Sequence, residues 1–370
     1  GYRDEEIPLD NLNYLDRRCL QIAKGIQEKN KKTSVILVSK NASLRLKAKS
    51  IGIKAQNFKD DIFPDLREQY KGRIECETSQ KKLDDFFRTG TLDIKDIYKY
   101  SNYVWMPNLF LTIRAFDTGN STLARYDGKK IVKLIYSDYH PFGITVQNSG
   151  QVMLLEALLQ KPEVAPLVII MGGAGTGKTY QSLAVALDRT IEMEGIYDQI
   201  LISSPIETVG QERIGYLPGD IDEKFNPHIG GIKDNLRLLL NGSSKSEVKN
   251  NGKKGRIKSE QYLFETRKIQ IQPIGFLRGR TIVNSIFIID ETQNIEPDDI
   301  KTIVSRAGKG SKFVFLGDPT QIDNPNLNER FNGLVYLSEK MKDSPLAWQV
   351  TLKDSESVRS ELAFLAATKL

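Results

Sequence analysis

Gly172-Gly173-Ala174-Gly175-Thr176-Gly177-Lys178-Thr179 follows the apolar run Leu167-Val168-Ile169-Ile170-Met171. A buried strand, a glycine-rich turn and then a helix beginning near Lys178 form the context of a phosphate-binding P-loop. Gly175 and Gly177 let the backbone bend so that its N–H groups point inward, toward an anion at a positive helix N-terminus. Lys178 is placed to reach the β- and γ-phosphates of a nucleoside triphosphate, and the Thr179 hydroxyl to complete a Mg2+ shell. Gly173, Ala174, Thr176 and Tyr180 are the remaining cofactor-binding positions of the loop. A mere glycine turn would have no such strand ahead of it, so the stretch implies a triphosphate site.

Two further strands belong to that site. Ile286-Phe287-Ile288-Ile289-Asp290-Glu291 has the form of a Walker B strand, four apolar residues ending in two carboxylates. Asp290 is the expected metal-side acid, together with Thr179, and Glu291 the residue that orients or deprotonates an attacking water. A catalytic acid directly after the metal-side aspartate favours hydrolysis over transfer to a small molecule. Residues 313–316 form another buried run, leading into Gly317-Asp318-Pro319-Thr320-Gln321, where Gln321 is the candidate sensor of the γ-phosphate. Upstream, Gln151 begins a helix and reads in two ways: as an amide for the adenine edge, or as a solvent-facing glutamine.

The chain has 370 residues, 53 basic and 47 acidic, with a net charge of +6. That modest excess tilts it toward polyanions. No apolar run approaches the ~18 residues of a membrane span, and no secretory signal stands at the start. Cys19 and Cys76 are the only cysteines, without metal-ligand spacing, which fits a reducing cytoplasm and excludes structural zinc. The basic stretch 245–258 reads as a solvated flexible loop, with nucleic-acid contact as the minority reading.

Three regions follow from the patterning. Residues 1–60 carry a helix with Leu12, Leu15, Cys19, Ile22 and Ile26 on its expected apolar face, a strand over 35–39 and a basic helix from Asn41. They read as the closing half of an α/β domain extending upstream of Gly1. Residues 61–140 alternate around Asp117-Thr118-Gly119-Asn120 and Asp127-Gly128, as in a small antiparallel module. From 141 to 370, strands at 167–171, 199–203, 286–289 and 312–316 alternate with helices, as a parallel sheet requires.

In order, the blocks 147–151, 172–179, 215–220, 276–281, 290–294, 305–308 and 317–323 resemble the PhoH family of ATPases, with a RecA-like core akin to that of superfamily 1 helicases. The resemblance covers 141–370. It implies ATP and Mg2+ as cofactors, hydrolysis coupled to single-stranded RNA, and a ring-shaped homo-oligomer. A ring needs an arginine finger; Arg278, Arg280, Arg306 and Arg359 match family positions, and Arg306 and Arg359 rank first for the nucleotide. Two departures stand out: Ser204-Pro205 where Arg-Pro is usual, and Ser305 where threonine often precedes the arginine.

Residues 16–20 and 35–48 resemble the last third of a PIN nuclease domain, and PIN joined to PhoH is a known order. Asp16 then matches one acid of a metal-binding ring, the first two acids being expected upstream of Gly1. Asn41 stands where another aspartate is common, and is also a good N-cap for the helix after it. The favoured reading is therefore an ATP-driven RNA helicase or translocase feeding a PIN ribonuclease that is incomplete in residues 1–60. The alternatives are a nucleotide-switched oligomeric interaction protein with a degenerate nuclease and, more weakly, a small-molecule kinase.

Overall fold

The structure, a computed structural model, describes residues 14–29, 34–39, 41–56, 63–98, 104–192, 195–205, 230–242, 247–250, 253–256, 260–277 and 279–358. It divides into two compact units, Gly1–Ile62 and Phe63–Leu370.

In the first unit, α1 (Tyr14–Lys29), β1 (Ile36–Val38), α2 (Ala42–Ser50) and β2 (Lys54–Gln56) enclose a small core. The two strands pair in parallel. Leu20, Ala23, Leu44, Ala48 and Ile53 make that core. The stripe expected to pack does not: Leu15, Cys19, Ile22 and Ile26 are exposed, and Leu12 lies outside the described residues. The packed edge of α1 is displaced by one residue, about 100° around the helix. Because α1 carries apolar residues on more than one side, spacing alone could not choose the face. Asn41 does cap α2, its Oδ1 accepting from the Leu44 N–H at 3.1 Å.

The second unit opens with β3 (Arg73–Thr78), α3 (Gln80–Thr89), β4 (Thr91–Leu92), β5 (Phe110–Ala115), β6 (Ser121–Tyr126) and β7 (Ile131–Lys133). They form a sheet in the order β3-β5-β6-β7-β4. Three pairings are antiparallel, as expected, but β3 and β5 run parallel because the segment between them, α3 included, crosses over. Ser79 caps α3 and Gly90, at φ +76°, ends it.

Then follow α4 (Ser149–Leu159), β8 (Leu167–Met171), α5 (Lys178–Leu187), β9 (Gln199–Ser203), α6 (Gly230–Gly242), β10 (Glu247–Asn250), β11 (Lys253–Arg256), α7 (Glu260–Glu265), β12 (Ile269–Ile271), β13 (Ser285–Ile289), α8 (Pro297–Val304), β14 (Lys312–Gly317), α9 (Gly333–Met341) and β15 (Ala347–Thr351). Six strands make a parallel sheet in the order β12-β9-β13-β14-β8-β15. Every residue of β8, β13 and β14 is buried, as expected of central strands covered on both faces. One core layer joins α4 and α5 to the sheet, and a second joins α8 and α9.

Within the basic stretch expected to be a loop, residues 247–250 and 253–256 are instead strands, β10 and β11, that pair antiparallel; the rest of the stretch lies outside the described residues.

The small sheet is joined to the free edge of β15. Thr351 N–H donates to the Lys71 carbonyl at 3.0 Å, and Gln349 Nε2 to that of Tyr70 at 2.6 Å. Asn108 Nδ2 donates to the Pro345 and Ala347 carbonyls, and the Arg125 guanidinium lies 4.4 Å from the Trp348 ring centroid. Gly72 fixes the spacing of this seam. Its φ is +69°, and a Cβ there would come 2.1 Å from the Gln349 carbonyl oxygen.

Lys312, at the start of β14, is wholly buried. Its ammonium donates to the carbonyls of Ala157, Leu158 and Gln160, the open C-terminal end of α4. Burial, helped by the charge of Arg189 and opposed by Glu163, pulls its pKa down to about 7.

Candidate active site

The P-loop is held open by its own backbone. Gly172, Gly175 and Gly177 have φ of +153°, +79° and +91°. Gly177 stands at the N-cap of α5 without a side-chain cap, so the first N–H groups of that helix face the loop. A Cβ on Gly177 would approach Gln151 Nε2 at 3.2 Å, and one on Gly173 would approach Asp354 Oδ1 at 2.9 Å. Thr176, buried, fastens the loop by donating from Oγ1 to the Gly173 carbonyl at 2.8 Å. Lys178 Nζ spans the loop mouth, 2.5 Å from the Gly172 oxygen and 3.0 Å from that of Gly173.

β13 ends beside this loop. Thr179 Oγ1 donates to Asp290 Oδ2 at 2.8 Å across 111 residues of sequence. Asp290 Oδ1 accepts from the Glu291 N–H at 2.9 Å. Glu291 adopts φ +51°, ψ +38°, a conformation costly for a residue with a Cβ. Burial first, and the Asp290 charge second, raise its pKa, against the opposing effects of Gln293 and Lys178.

A cavity of about 480 Å³ gathers these groups. Its walls include Ala174, Gly175, Gly177, Lys178, Thr179, Tyr180, Asp290, Glu291 and Gln321. Gly173, Thr176 and Gln151 are not on that wall. Gln151 is buried, its Oε1 accepting from the Gln147 N–H at 2.9 Å and its Nε2 donating to the Thr176 carbonyl at 3.2 Å. The amide is thus engaged at both ends by protein and braces the loop, a third placement beside the two considered from sequence.

Residues missed from sequence complete the site. Gly231, Ile232 and Asn235 of α6, Ser204 and Asp318 also line the cavity. Gln293, fully buried, is a crossbar between the ends of β13 and β14: its Nε2 donates to Glu291 Oε2 at 2.6 Å and to the Gln321 carbonyl at 2.8 Å, while its Oε1 accepts from the Asp318 N–H. Gln321 Nε2 in turn donates to Asp318 Oδ2 at 2.9 Å. A polar residue following two acids was the available signal for Gln293; nothing in the spacing marked α6.

Of the four candidate arginines, two are among the described residues. Arg306 follows α8, half-buried and away from the cavity wall within this chain. Arg280 donates to Gln272 Oε1 at 3.2 Å. Arg278, Arg359 and the block 215–220 lie outside the described residues. In the first unit, Asn41 Nδ2 donates to Asp16 Oδ2 at 3.0 Å. Among the described residues no three His, Cys, Asp or Glu side chains cluster as metal ligands.

A hydroxyl and a carboxylate in contact, a lysine over a glycine cradle and an uncapped helix N-terminus suit a triphosphate and a divalent ion. Residues 143–368 match the family of PhoH-like proteins, and residues 2–59 match the PIN domain family. The chain belongs to the PhoH-like family. It carries a PIN-type segment ahead of a P-loop core built on a six-stranded parallel sheet. Among its PhoH-family relatives, Protein PhoH2 of Bacillus subtilis is 37% identical over 373 residues, covering 99% of this chain and 79% of the relative. Protein PhoH2 of Mycolicibacterium smegmatis is 29% identical, covering 96% and 74%. Among solved structures, the Sulfolobus solfataricus SWI2/SNF2 ATPase core in complex with dsDNA aligns at a TM-score of 0.32 and 15% identity, over 59% of this chain and 47% of its own. That likeness is too slight to carry weight. No described helix is long and apolar enough to cross a membrane.

Proposed function

We propose that this PhoH-like protein is a Mg2+-dependent ATPase that moves or unwinds RNA, with single-stranded RNA as its track, as a cytoplasmic homo-oligomeric ring, and serves a PIN ribonuclease. The observation that carries the enzymatic part is the 2.8 Å contact of Thr179 with Asp290 in the cavity that Lys178 and Glu291 share. When bound, the metal would supply charge neutralisation at the phosphates.

The loop N–H groups and Lys178 bind and orient the triphosphate. Thr179 and Asp290 hold the metal side. Glu291, kept at the cavity by its backbone and by Gln293, orients a water and accepts its proton. Gln321, tied to Asp318, stands where the end of the phosphate chain would be felt. Arg306 and Arg359 are the candidate fingers for a neighbouring subunit's site. The PIN segment and the family membership support RNA as the polymer.

The test is ATP hydrolysis with and without single-stranded RNA at low salt. RNA stimulation that disappears in Lys178→Ala and Glu291→Gln supports the motor; a rate indifferent to RNA of several sequences defeats it. One observation favours the switch reading: Asn41 both caps α2 and holds Asp16, which leaves the pair poor in charge for a metal. ATP-driven assembly by light scattering, without RNA turnover by the full-length protein, would favour it.

A further inference from the structure

An unbroken run of hydrogen bonds leads from the P-loop to the first strand of the small sheet. The Thr176 carbonyl accepts from Gln151 Nε2 at 3.2 Å, and the Gln151 N–H donates to Asn148 Oδ1, the cap of α4, at 3.0 Å. Asn148 Nδ2 donates to the Glu356 carbonyl at 3.0 Å. The Glu356 carboxylate then gathers four donors from three places in the chain. Arg73 Nη1 of β3 lies 3.0 Å from Oε1 and 2.8 Å from Oε2. Ser149 Oγ and the Gly150 N–H reach Oε1 at 3.2 and 3.0 Å, and the Lys353 N–H reaches Oε2 at 2.8 Å. Two residues further on, the Val358 N–H donates to the Gly175 carbonyl of the P-loop at 3.0 Å.

A buried ion pair is by itself weak evidence of anything but packing. This one differs in what it joins. Arg73 and Glu356 are each 8% exposed, yet the run from Glu356 through Asn148 and Gln151 ends on the Thr176 carbonyl of the P-loop, and the backbone two residues beyond Glu356 holds that of Gly175. A Cβ on Gly150 would lie 2.3 Å from Glu356 Oε2, so the start of α4 approaches the carboxylate as closely as backbone allows. Any shift of β3 moves Arg73, and the carboxylate cannot follow without disturbing α4 and the loop together. A network whose members all compete for two oxygens has few intermediate arrangements.

We propose that Glu356, clamped by Arg73, is a positioning residue for the phosphate-binding loop, and that through it the small sheet and the nucleotide site sense each other's state. This deepens the ATPase reading and rests on it. Coupling of this kind is reciprocal: if the sheet affects nucleotide affinity, nucleotide affects the sheet by the same factor. Glutamine is a poor substitute at 356, because its NH2 group would face donors and one acceptor would be lost.

The experiment is amide hydrogen exchange on the full chain, with and without Mg2+ and a non-hydrolysable ATP analogue, in the parent, Arg73→Met, Arg73→Lys and Glu356→Gln. In the parent, the analogue is expected to slow exchange both at 172–179 and at 73–78. In the variants, saturating analogue still protects 172–179, protection of 73–78 by the analogue falls at least about fivefold, and the analogue's Kd rises about five- to tenfold. A purely structural pair would speed exchange equally with and without analogue, leaving the ratio unchanged, and that result overturns the proposal. So does a parent in which the loop is protected and 73–78 is not. Absence of protection at 172–179 in the parent instead overturns the nucleotide reading, and the proposal with it. Arg73→Lys keeps the buried charge and gives the comparison if Arg73→Met does not fold.

Discussion

Thr179–Asp290 and Asp16–Asn41 are contacts of the same kind, one in each unit: a carboxylate accepting from a polar side chain distant in sequence, at 2.8 and 3.0 Å. What surrounds them differs. Around the first, Lys178, Glu291, Gln321 and an uncapped helix N-terminus face one cavity of about 480 Å³. Around the second, the asparagine is consumed at both ends, Oδ1 on the Leu44 N–H and Nδ2 on Asp16. A contact between the right residue types therefore says little; the charged and polar groups that share one cavity beside it say more. The contrast implies that changes at the open site lose turnover with little loss of fold, while changes at filled positions lose stability first.

The largest effect is expected at the open site. Lys178→Ala or Asp290→Asn should lower ATP turnover at least about 10²-fold, the scale of losing one preorganised charge-stabilising group, with the Tm within a few degrees of the parent. Steady-state hydrolysis and a thermal melt on the same samples measure both. Near-parental turnover, or a collapse of the Tm, breaks the contrast at its stronger end.

That end was also the part legible in sequence. β8 and β9 fall where the apolar runs place them, and β13 and β14 extend theirs by one residue, because central strands buried on both faces read as continuous hydrophobic blocks. The edge strands were not anticipated. Ile269-Gln270-Ile271 is short, and Ala347-Trp348-Gln349-Val350-Thr351 mixes polar residues into a strand paired with β8 on one side only. β15 matters most here, since the small sheet joins it. The loop lysine, hydroxyl and two acids were legible because their spacing is fixed by one turn and one strand end. Gln293 had only the signal of a polar residue after two acids, and Glu356 and the α6 residues had none, since their roles arise from contacts between segments that no local pattern ties together.

Among the filled positions, Gly72 should be the most sensitive. Alanine there meets a positive φ, costing roughly 1–2 kcal/mol, and an overlap with the Gln349 oxygen whose relief by backbone movement costs roughly 1–3 kcal/mol. Gly72→Ala should therefore lower unfolding free energy by about 3 kcal/mol in denaturant titration and, because the backbone movement falls beside Arg73, weaken binding of the nucleotide analogue as well. A loss of stability with unchanged analogue affinity would show that the seam can shift without moving the Arg73–Glu356 clamp.

Lys312→Met should cost about 2 kcal/mol at alkaline pH by leaving carbonyls at the C-terminal end of α4 without their donor, and the cost should depend on pH. The folded-state pKa, about 7, lies below the unfolded one near 10.5. Between those values the unfolded chain holds a proton that the folded chain does not, so parental stability rises with pH relative to the variant. Below pH 7 both states are protonated, and the parent carries the full burden of a buried charge. Denaturant unfolding of the two proteins at pH 6, 8 and 9.5 should show the gap widening upward; a flat difference would mean that the ammonium remains charged throughout.

The smallest effect sharpens the weaker half of the contrast. Asn41→Ala removes the α2 cap and should cost about 1 kcal/mol. Asn41→Asp keeps an acceptor for the Leu44 N–H but sets a second carboxylate about where the amide now donates to Asp16. The two like charges destabilise each other unless a cation lies between them. Added Mn2+ should then raise the Tm of Asn41→Asp more than that of the parent or of Asn41→Ala. An equal response in all three would mean that Asp16 cannot be opened to a metal by charge alone, and that the two contacts differ in geometry as well as in the groups gathered around them.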